Sequence, residues 1–96
     1  MKSLKDAIEE TRRNLQIFSC VKHPGISLAQ SLELIKLIQE FCPVESSAAV
    51  AIAKRLCEVI SDCASIAEYE NLTPFAKDLR CIAWRLSLVV APLDQK

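Results

Sequence analysis

Residues 73–91 read TPFAKDLRCIAWRLSLVVA, a stretch with apolar residues on two sides of a single helix. Phe75, Leu79, Ile82, Leu86, Val89 and Val90 recur at the three- and four-residue steps of a core face. Cys81, Trp84 and Leu88 follow i, i+3 and i+7 on the side away from it. A helix in a small monomeric domain needs one apolar face, so this second stripe is expected to meet a partner. Trp84 is the only tryptophan of the chain, and tryptophan is enriched among interface anchors. Thr73 is placed to cap the helix, Pro74 suits its first position, and Pro92 is expected to end it after Ala91.

Working back from there, Asn71 reads as the end of a third helix over 43–70. Ala49, Ile52, Ala53, Leu56, Val59, Ile60, Cys63, Ile66 and Ala67 give it a core face, with Lys54, Arg55, Glu58 and Asp62 outside. Pro43 suits the first position, and Glu45 lies near the positive helix end. A continuous helix of that span would be about 40 Å long, which predicts either a break near Ser46 and Ser47 or an overhanging end. The second helix, over 27–41, should open at Ser27 with Gln30 completing a capping box. Its Leu28, Leu32, Leu34, Ile35, Leu37, Ile38, Phe41 and Cys42 sweep roughly 220°. An arc that wide predicts either the most interior helix or an edge of Leu34, Leu37 and Phe41 that meets another molecule.

The first helix, over 3–21, places Leu4, Ile8, Thr11, Leu15 and Phe18 on one side. Ser3 with Asp6 resembles a capping box, and Lys5 with Glu9 and Glu9 with Arg13 are opposite charges four apart. Lys22-His23-Pro24-Gly25 ends it. The fold class these segments predict is all-α: one domain over 1–96, an antiparallel up-down-up-down four-helix bundle.

Composition narrows function by exclusion. Half of the 96 residues are hydrophobic (51%) and 25% are charged, which is globular usage. Twelve basic residues balance twelve acidic ones, so no bulk field draws nucleic acid or an anionic membrane. Five cysteines, with no C-x-x-C pair, lack zinc-site spacing and read as reduced thiols. Acids near the N-terminus and the lack of a long apolar run lead us to expect a cytoplasmic protein with no membrane contact, no metal and no cofactor.

Three function classes rest on named residues. A non-enzymatic protein-interaction module would anchor Cys81, Trp84 and Leu88 in a partner, with Arg80 and Arg85 as polar rim and Leu34, Leu37 and Phe41 as a second surface. The first partner expected is a second copy, because two-fold dimers are the commonest oligomers. A nucleic-acid-binding regulator would instead use Lys77, Arg80 and Arg85 on phosphates while Trp84 stacks on a base. The third class is an enzyme with a cysteine nucleophile, resting on Cys20 three residues before His23, the only histidine.

Overall fold

In a computed structural model, which describes residues 3–18, 28–42 and 46–94, the chain is all-α. The helices are α1 (Leu4–Phe18), α2 (Ala29–Phe41), α3 (Ser47–Tyr69) and α4 (Thr73–Asp94), and no strand occurs among the described residues. The expected ends at 19–21, the Ser27 cap, the turn before Gly25 and the Pro43 start lie outside the described residues.

Ser46 and Asn71 set the bounds of α3. Ser46 is extended (φ −68°, ψ 159°), and its Oγ accepts the Ala49 N–H at 3.2 Å. The helix therefore starts at Ser47, because a capping serine satisfies an amide that the first turn leaves orphaned. At the other end Asn71 takes a left-handed conformation (φ 62°). Its N–H donates to Glu68 O at 3.0 Å, and Leu72 N–H donates to Ala67 O at 2.8 Å. These two bonds make a Schellman turn, with asparagine where glycine is commonest.

Three further starts and stops differ from expectation. α2 begins at Ala29, and Leu28 at its N-cap makes no side-chain cap bond. At α4 the Leu72 carbonyl takes the first helical bond, from Ala76 N–H at 2.9 Å, so Thr73 lies inside the helix instead of capping it. α4 also runs through Pro92 to Asp94. Proline costs one donor there, in a final turn where little else depends on it, and that turn is held by Leu93 against the core and by Asp94 on Lys54 at 3.1 Å.

Two ion pairs orient the long helices. Lys54, early in α3, meets Asp94 at the end of α4, while Glu68, late in α3, meets Arg80 early in α4 at 2.7 Å. The two helices therefore run in opposite directions, and their contact is the most extensive of any helix pair. At 23 and 22 residues they span most of the 38 Å length of the molecule. α1 packs on α4 and α2, and α2 packs on α3.

The core joins Leu4, Ile8 and Leu15 of α1, Ile35 of α2, Leu56 and Ile60 of α3, and Leu79 and Leu86 of α4. Thr11 is buried and donates its hydroxyl to Ala7 O at 2.7 Å. Ser31 is fully buried too, and its Oγ has no hydrogen-bond partner among the described residues. In place of the expected pairing with Lys5 and Arg13, Glu9 is held by Arg12 through both carboxylate oxygens and by Gln39 of α2 at 2.8 Å. A fork-shaped guanidinium one turn away makes two parallel bonds that a lysine cannot.

Candidate functional site

The outward side of α4 carries the stripe as three exposed residues. Trp84 is 61% exposed and Leu88 54%, and Cys81 is exposed beside them. The described residues leave most of the indole uncovered. Leu79, Ile82, Leu86 and Val90 are buried on the opposite side, with Phe75 and Val89 half-buried against the core.

Trp84 also walls an open groove of about 490 Å³ between α3 and α4. Ser61, Ala83 and Ser87 keep it shallow and wide, and Glu58, Asp62 and Arg80 edge it. Its one thiol, Cys57, is pushed up to about 11 by burial, with the Glu58 charge adding to the shift. Burial likewise raises the Cys63 thiol. Both cysteines stay protonated near neutrality and lack the thiolate character of a nucleophile. Cys20 and His23 lie outside the described residues.

The basic groups around Trp84 are engaged within the chain. Arg80 donates from Nε to Glu68 at 2.7 Å and from Nη2 to Ser65 Oγ at 3.4 Å. That bond holds the Glu68 carboxyl below its usual range and raises the Arg80 guanidinium. Arg85 meets Glu10 of α1 at 3.4 Å. Lys77 is exposed one turn before Cys81.

The second edge is placed apart, on α2. Phe41 is 72% exposed and Leu37 is exposed, while Leu34 is half-buried against the core. α2 is thus not the most interior helix, since α3 buries more of its residues. Ile17 of α1 and Ile66 and Tyr69 of α3 are exposed without a signal in the spacing. Ile66, expected in the core, is exposed, because it lies off the line of Leu56, Ile60, Cys63 and Ala67 that faces inward. Tyr69 is 86% exposed at the end of α3, and its place beside the turn gave no periodic signal. Nor did spacing reveal the groove, which exists only because α3 and α4 set Ser61 beside Ser87.

No family model, curated protein or solved structure matches the chain. Among the described residues no group of His, Cys, Asp or Glu is placed to hold a metal ion, and no helix is long and apolar enough to cross a membrane.

Proposed function

We propose that this chain is a small cytoplasmic, non-enzymatic protein-interaction module, a regulator of the adaptor, antitoxin, immunity or anti-activator type. It is a single domain, an up-down-up-down antiparallel bundle, that docks through surplus apolar helix surface. The observation that carries this reading is the exposure of Trp84 and Leu88 opposite a complete core face. A tryptophan with most of its ring in water is a desolvation gain held in reserve, released when a partner covers it.

The pairing of Arg80 with Glu68 and of Arg85 with Glu10 favours docking over the nucleic-acid alternative. A phosphate would have to compete with a carboxylate for each guanidinium, and the net charge of zero supplies no long-range attraction.

Light scattering across a dilution series, with Trp84 emission recorded on the same samples, tests the reading. The expected result is a mass that falls on dilution together with a red shift of emission. A constant monomer mass with blue, shielded emission would mean that Trp84 is ordinary core, and would sink it.

A further inference from the structure

We draw no further inference here: the strongest candidate, the open groove between α3 and α4 walled by Trp84, carries nothing because nothing in the structure shows what covers it, its edging Arg80 and Glu58 being already paired with Glu68 and Arg55.

Discussion

The α3–α4 hairpin and the α1–α2 pair are made of similar amphipathic helices, yet they are held in different ways. The hairpin is closed at one end by the Schellman turn at Asn71 and at the other by Lys54 on Asp94, with continuous apolar contact between. The short pair meets over a smaller area, joined by Gln39 on Glu9, and α2 starts without a side-chain cap. A long interface locked at both ends gives a stiff platform, and it is this platform that displays the Trp84 stripe and the groove. The Trp84 stripe therefore lies on the best-supported part of the molecule, where covering it would cost the least ordering entropy.

Removing apolar bulk inside the platform should produce the largest effect. Leu56 is a fully buried core residue of α3, and Leu56→Ala should lower unfolding free energy by about 2–5 kcal/mol in urea titrations. Leu15→Ala makes the same deletion at a fully buried site in α1 and should cost less, because the surroundings of a short helix collapse more readily into the space. Equal losses at the two sites would erase the contrast between the pairs.

Trp84→Ala sharpens the comparison from the outside. The indole lies on the platform but not in its core, so association should weaken by about 2 kcal/mol while stability of the monomer moves by less than about 0.5 kcal/mol. Isothermal calorimetry of dilution and thermal melting below the dissociation midpoint read the two quantities separately. A large loss of monomer stability would make Trp84 a packing residue.

Much of this division was legible in the chain itself, for physical reasons that differ by region. The core face of α4 and its second stripe follow from periodicity, because a helix of 22 residues repeats its pattern often enough to be read. The stop at Asn71 was visible as turn chemistry, whereas the Ser46 cap was not read as one, because the length of the span left a break near Ser46 and Ser47 as only one of two options. The passage of α4 through Pro92 was not, because it depends on Lys54 from another helix and on Leu93 reaching the core. Position 31 is a serine at the core and position 37 a leucine at the surface, so residue type on α2 points the wrong way at both. The groove edged by Asp62 and Arg80 arises between helices, and no single-helix pattern encodes it.

The hairpin turn supplies an intermediate effect. Asn71 pays for a left-handed backbone that asparagine tolerates better than other residues with a β-carbon. Asn71→Ala should therefore destabilise by about 1 kcal/mol, and Asn71→Gly should hold the turn without loss. Were alanine as stable as asparagine in thermal melts, the turn would not be what closes the platform.

The smallest effect belongs to the other side of the comparison, the Glu9 link between α1 and α2. Hydrogen bonds from Arg12 and then Gln39 hold the Glu9 carboxyl down to about 2 from its usual 4.5. The folded value lies below the unfolded one, so the stabilisation is fully present above about pH 4.5 and is lost as pH falls through that window toward about 2. Glu9 is partly exposed and solvent screens it, so the change should be modest and show in the pH profile more than at neutrality. Melting temperatures of the wild type and Glu9→Gln should differ at pH 7 and converge near pH 2. Parallel curves across that range would mean that Glu9 contributes nothing to joining the short pair, leaving α1 and α2 held by their apolar faces alone.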